Sequence, residues 1–159
     1  MRDRSILKMQ LVEPYTQTES GQRTAHPLRV FLVEDSAVIR QSLTETIASL
    51  DHVEVVGHAE GEAEAIAALQ ALECDAVVLD LQLKEGHGFN VLKALRGRSS
   101  TPRIVVLVLS NYATPQYRTR SMDIGADYFF DKAREYDLLC EVLERLGVRR
   151  AGDEASSAN

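Results

Sequence analysis

Five short runs of apolar residues, many of them β-branched or aromatic, recur along the chain: 28–33 LRVFLV, 53–59 VEVVGHA, 75–79 DAVVL, 103–109 RIVVLVL and 126–130 ADYFF. Several are nearly continuous rather than alternating, which is the pattern of strands covered by helices on both faces. The stretches between them switch to a helical period. Ile39, Leu43, Ile47 and Leu50 share one helical face, as do Phe89, Leu92 and Leu95, and Leu138, Leu139, Val142, Leu143 and Leu146 make a strong stripe over 134–146. The Ala- and Glu-rich stretch 61–72 carries Ile66 and Leu69. Thr114 and Pro115 suit a helix N-cap and first turn, and Gly125 and Gly147 suit helix ends. Five alternating βα units specify an α/β fold: a parallel sheet, doubly wound, with right-handed crossovers.

With 159 residues, 45% of them hydrophobic and 26% charged, the chain has the composition of a single globular domain. That domain spans 28–147. Residues 1–27, with TQTESGQRTAHP leading into the first strand, read as a flexible arm, and 148–159, small and polar, as a disordered tail. No apolar stretch approaches the ~18 residues of a membrane helix, and the N-terminus lacks a signal-peptide core, so no membrane association and a cytoplasmic location are expected. Cys74 and Cys140 form no C-x-x-C pair and are expected as buried free thiols, and His26, His52, His58 and His87 show no ligand spacing. A net charge of −6 argues against direct nucleic-acid binding.

In sheets of this kind ligands sit outside the carboxyl ends of the strands. Glu34 and Asp35 end the first strand, Asp80 the third, Ser110 and Asn111 the fourth, and Lys132 follows the fifth. Any one of these could be an ordinary solvent-facing polar residue. Together they bring three carboxylates, a hydroxyl, an amide and an amine to one edge. Two carboxylates 4 Å apart repel by roughly 4 kcal/mol at an effective dielectric near 20, so three crowded together either hold a cation or change protonation.

The chain resembles the receiver domains of two-component response regulators, of the stand-alone, CheY-like type. The resemblance runs from 28 to about 147 and is carried by VEDS at 33–36, VVLDLQL at 77–83, LSN at 109–111 and YFFDKA at 128–133. It implies a flavodoxin-like strand order 2-1-3-4-5. It implies that Asp80 is the phosphoryl-accepting aspartate, Glu34 and Asp35 the acidic pair beside a divalent ion, Ser110 the switch hydroxyl and Lys132 the family's lysine. Gly88 matches the glycine after the phosphorylation loop, and Leu81, Asn111 and Phe129 stand at phosphate or switch positions. The chain departs from the family where Ala133 replaces the usual proline, where Lys84 replaces another, and where Phe129 lacks a hydroxyl.

Mg²⁺ suits such an acid cluster because it takes one or two carboxylates, keeps several waters and accepts phosphate oxygens. Asp35 and Asp80 are expected as direct ligands, the backbone carbonyl of Gln82 as a third, and Glu34 through water. Asp80 is then a carboxylate nucleophile, not part of a turnover enzyme, with Lys132 and Ser110 donating to the phosphoryl oxygens. The expected donor is a histidine kinase or histidine phosphotransfer protein, and the output a contact with a downstream effector protein. Ser110 moving inward would free space for a partly exposed Phe129 ring, and the stretch 110–132, whose helix 115–124 has a poor apolar stripe, is the expected mover. Two alternatives stay open: a degenerate receiver that binds partners without phosphorylation, and a phosphorelay intermediate without an output switch. An aspartyl phosphatase of the haloacid dehalogenase type is disfavoured, since Leu81 and Gln82 follow Asp80 with no second acid, and VEDSAVIR lacks the glycines of a dinucleotide loop.

Overall fold

Strands β1 (Leu28–Val33), β2 (Val53–Ala59), β3 (Ala76–Leu79), β4 (Val105–Ser110) and β5 (Tyr128–Asp131) pair in parallel, in the order β2-β1-β3-β4-β5. They alternate with α1 (Ala37–Ala48), α2 (Glu62–Ala71), α3 (Gly88–Arg96), α4 (Pro115–Ile124) and α5 (Tyr136–Ser157) in a computed structural model that describes residues 26–99 and 102–157. The expected fold class and strand order are those observed.

The continuous apolar runs are explained by two cores, one on each face. Phe31, Val33, Val77, Leu79, Val106, Val108 and Phe129 pack with Leu69 of α2 and Phe89 and Leu92 of α3. Their neighbours Val30, Leu32, Val78, Leu107, Leu109 and Phe130 pack with Leu43 and Ile47 of α1 and Leu139 and Leu143 of α5. Each such side chain contributes about 1.5–3 kcal/mol when fully buried, and alternate residues on a strand face opposite helical layers. The chain leaves β1 for β2 on one side, whereas β3 lies on the other, so the strand order reverses beside β1. The Asp80 N–H donates to the Val33 carbonyl at 3.0 Å, which draws the two strand ends together.

The starts of β3, β4 and β5 fall later than the apolar runs suggest, and the acids that precede β3 and β5, Asp75 and Asp127, bond through their side chains. The Arg29 N–H donates to Asp75 Oδ2 at 2.8 Å. The Val106 N–H donates to Asp127 Oδ2 at 2.8 Å, while Arg96 and Arg103 pair with the same carboxylate at 2.8 and 2.5 Å. Helix boundaries are closer to expectation. Thr114 caps α4, accepting from the Tyr117 N–H at 3.3 Å, and Gly125 ends it at φ 121°, a conformation that favours glycine.

Gly147 does not end a helix, and 148–157 are not a disordered tail. Helix α5 runs through to Ser157, with Gly147 buried where a Cβ would stand 2.5 Å from the His52 carbonyl oxygen. The glycine serves close approach rather than termination. Beyond it the helix is held by charge instead of an apolar stripe: Arg150 pairs with Asp75, Arg150 Nε lies 3.4 Å from Glu154, and Glu154 accepts the His26 N–H at 2.8 Å. Most of the expected N-terminal arm, residues 1–25, lies outside the described residues. Cys74 and Cys140 are free thiols as expected but only half-buried. Among the described residues no helix is long and apolar enough to cross a membrane.

Candidate functional site

The site is built from the loops that follow β1, β3, β4 and β5. Carboxylate oxygens of Glu34, Asp35 and Asp80 lie within 4.8 Å of one another. Glu34 is 3% exposed and Asp80 6%, so neither charge can rely on water. Lys132 bridges them, its Nζ standing 2.7 Å from Glu34 Oε2 and 3.0 Å from Asp80 Oδ2. Backbone N–H groups take the other oxygens: Ser36 donates to Glu34 Oε1 at 3.0 Å, and Gln82 donates to Asp80 Oδ1 at 3.1 Å. Burial pushes the Glu34 carboxyl above its ordinary value of 4.5, although Lys132 and the Ser36 N–H pull the other way. Burial also acts to lower Lys132, but the Glu34 hydrogen bond and the charges of both acids outweigh it and hold the ammonium above 10.5. Lys132 therefore stays charged.

Asp35 differs from its neighbours. It is half-buried, and among the described residues its carboxylate accepts no hydrogen bond. Three carboxyl groups face one ammonium, so the cluster has room in charge and in lone pairs for a hard cation, and Asp35 is the acid least committed to the protein.

The loop after Asp80 is closed tightly. Gln82 and His87 form an antiparallel bridge, and the Gly88 N–H donates to the Leu81 carbonyl at 3.0 Å. Gly88 opens α3 where a Cβ would stand 2.3 Å from the Asp80 carbonyl oxygen, so glycine is required by that approach. Glu62 at the start of α2 holds the same loop from outside, accepting from the His87 N–H at 2.7 Å and from Asn90 Nδ2 at 3.1 Å. His87 caps α3 through Nδ1, which accepts from the Phe89 N–H at 3.2 Å, and stacks on the Phe89 ring.

Ser110 is fully buried, and its Oγ accepts from the Tyr112 N–H at 3.1 Å. The Lys132 N–H donates to the Ser110 carbonyl at 2.9 Å, which aligns the ends of β4 and β5. Two expected members stand apart from the acid cluster: the Leu81 side chain is in the core with α2 and α3, and Asn111 is exposed. The expectation of a partly exposed Phe129 ring is not met. That ring is 6% exposed because β5 turns it toward α4, where the Arg118 guanidinium lies 4.8 Å from its centroid and donates to the Phe129 carbonyl at 3.0 Å.

Sequence reasoning passed over Arg40, Glu62 and His87. Arg40 reads as the polar face of α1 and Glu62 as an ordinary acid in a first helical turn. Only the fold brings them to the loops that carry the acids. The short separations from Glu34 to Arg40 and from Asp80 to His87 are the one signal available beforehand.

A family model described as the response regulator receiver domain matches residues 30–144. The gliding motility regulatory protein of Myxococcus xanthus is 30% identical over 86% of this chain, which spans 17% of that protein. A nitrate/nitrite response regulator protein homolog of Haemophilus influenzae is 30% identical over 75% of the chain, which spans 56% of it. The chain thus covers only part of the length of these relatives. Among solved structures, the receiver domain of a sensor histidine kinase from Pseudomonas aeruginosa, with a magnesium ion coordinated in its active-site cleft, superposes with a TM-score of 0.65. It is 20% identical, with 75% of this chain and 96% of that one covered.

Proposed function

The chain belongs to the response regulator receiver domain family, and on that premise we propose that it accepts a phosphoryl group on Asp80 in a Mg²⁺-dependent reaction. The observation that carries this reading is the buried bridge of Lys132 to Glu34 and Asp80 beside the uncommitted carboxylate of Asp35. A carboxylate oxygen of Asp80 attacks the phosphorus, the bond from phosphorus to the donor breaks, and the donor leaves with the electron pair. The product is an acyl phosphate, which water later cleaves to restore the carboxylate.

Asp35, Asp80 and the Gln82 backbone carbonyl would hold the Mg²⁺ directly and Glu34 through water; when bound, the ion supplies charge neutralisation to the phosphoryl oxygens. Lys132 already touches Asp80 and would follow the phosphoryl group, leaving Glu34. Ser110 would exchange its local bond with the Tyr112 N–H for one to a phosphoryl oxygen. The complete set of acids, lysine and hydroxyl argues against a degenerate receiver. The donor would be a histidine kinase or histidine phosphotransfer protein, and the output a protein contact on the α4, β5 and α5 surface.

Incubation with Mg²⁺ and a small acyl phosphate, read by intact mass, is expected to add one phosphoryl group. Asp80→Asn and chelation of the metal should each abolish it. Modification that persists in Asp80→Asn would remove the proposal. The relay reading, without an output switch, draws support from the already buried Phe129 ring, since no aromatic swing remains to be made. Hydrogen exchange on the phosphorylated form separates the two: altered protection across 110–146 favours the switch, and unchanged protection favours the relay.

A further inference from the structure

We infer that Arg40 is a positioning residue for the metal-binding acids, setting the Asp35 carboxylate in place through the backbone; this rests on the Mg²⁺-dependent reading above. Arg40 lies on α1, and its NH1 group donates to the Glu34 carbonyl at 2.9 Å. That carbonyl belongs to the peptide joining Glu34 to Asp35. Its plane sets the direction in which the Asp35 side chain leaves the backbone. The N–H of Glu34 is fixed separately, donating to the Ala59 carbonyl at 3.0 Å as the β1–β2 ladder ends. On the far side of Asp35, the Ser36 N–H is held by the Glu34 carboxylate and the Ser36 hydroxyl caps α1. Asp35 is thus gripped by the backbone on both sides while its own carboxylate has no protein donor among the described residues. Nothing but that backbone aims it.

The second nitrogen of the fork explains why arginine stands here. NH2 donates to Glu60 Oε1 at 2.9 Å, just past β2, so one planar group ties the acid loop to the neighbouring loop. The Arg40 side chain is mostly buried and Glu60 half-exposed, which leaves the guanidinium one direction to face. The Glu60 N–H in turn donates to Glu64 Oε2 of α2 at 3.0 Å, which ties that loop to α2.

The inference gives a sign opposite to that of simple electrostatics. A cation near a metal site repels the metal, so if Arg40 acted only as a charge its removal would tighten Mg²⁺ binding. If it positions Asp35, removal weakens binding, about tenfold by the usual effect of losing an outer partner of a ligand. Calorimetric titration with MgCl₂ on the wild-type chain, Arg40→Met and Arg40→Lys decides between them, with thermal unfolding in excess chelator recorded for each. Arg40→Met is expected to bind about tenfold more weakly. Arg40→Lys keeps the charge but loses the fork, and is expected to fall between the two. Affinity equal to or tighter than wild type in Arg40→Met overturns the inference; if that variant does not fold, wild-type affinity in Arg40→Lys overturns it. A wild-type chain that takes up no Mg²⁺ overturns the metal reading itself.

Discussion

At the scale of single residues, Lys132 has two duties that pull apart. In the described state it neutralises two buried acids, and in the phosphorylated state it would serve a new anion. Removing one partner of a buried ion pair typically costs about 3–5 kcal/mol, because the other partner is left charged without compensation. Lys132→Ala is therefore expected to lower the unfolding temperature in chelator, with the loss at the lower end of that range because Ser36 still serves Glu34. Added Mg²⁺ should restore more stability to this variant than to the wild type, since it replaces the missing positive charge. Thermal unfolding with and without the ion checks this, and an equal Mg²⁺ effect in both proteins would mean that the lysine and the ion do not share the acids. Phe129 shows what a single position hides in sequence. The residue type is readable, but its burial comes from packing in the core with Phe89 of α3 and Tyr117 of α4, and Arg118 lies over its ring, contacts that no local pattern announces.

At the scale of elements, the helix–strand alternation was fully legible, because hydrophobic period reports on faces. Strand ends were legible too, and they alone bring Glu34, Asp35, Asp80, Ser110 and Lys132 to one edge of the sheet. What remained unreadable were side chains that reach from one element to a loop of another. Glu62 is such a case. Its carboxyl lies below the ordinary 4.5, chiefly because the His87 N–H donates to it and then because Asn90 does. A folded pKa lower than the unfolded one means that the tie is fully present above the unfolded value and is lost as pH falls through the folded one. The loop at 84–87 should accordingly exchange its amides faster, relative to the rest of the sheet, as pH falls through the folded value, which lies below 4.5. Glu62→Ala should show the same local increase at neutral pH, by hydrogen exchange, while the core strands stay protected. Uniform change across the sheet would mean that Glu62 supports the fold as a whole rather than the loop.

At the scale of the whole molecule, composition misleads once. The stretch 148–157 is polar enough to look unstructured, yet the structure continues α5 through it, fastened by Arg150 to Asp75 and by Glu154 to the His26 N–H. Two glycines test that account in opposite directions. Gly147→Ala places a Cβ against the His52 carbonyl and is expected to destabilise the protein and loosen 148–157. Gly152 has nothing within 4 Å of an added Cβ, so Gly152→Ala should stabilise by roughly 0.5–1 kcal/mol through helix propensity alone. Denaturant melts of the two variants check this, and equal effects would show that 148–157 is not docked. The docked helix also fixes a geometry. Asp75 lies at the start of β3 and Asp80 at its end, about 17 Å apart at the usual rise per residue. A dye or surface tether attached at Ser157 would therefore sit toward the pole away from the acids, leaving the reactive face open to solution for single-molecule or chip-based recording.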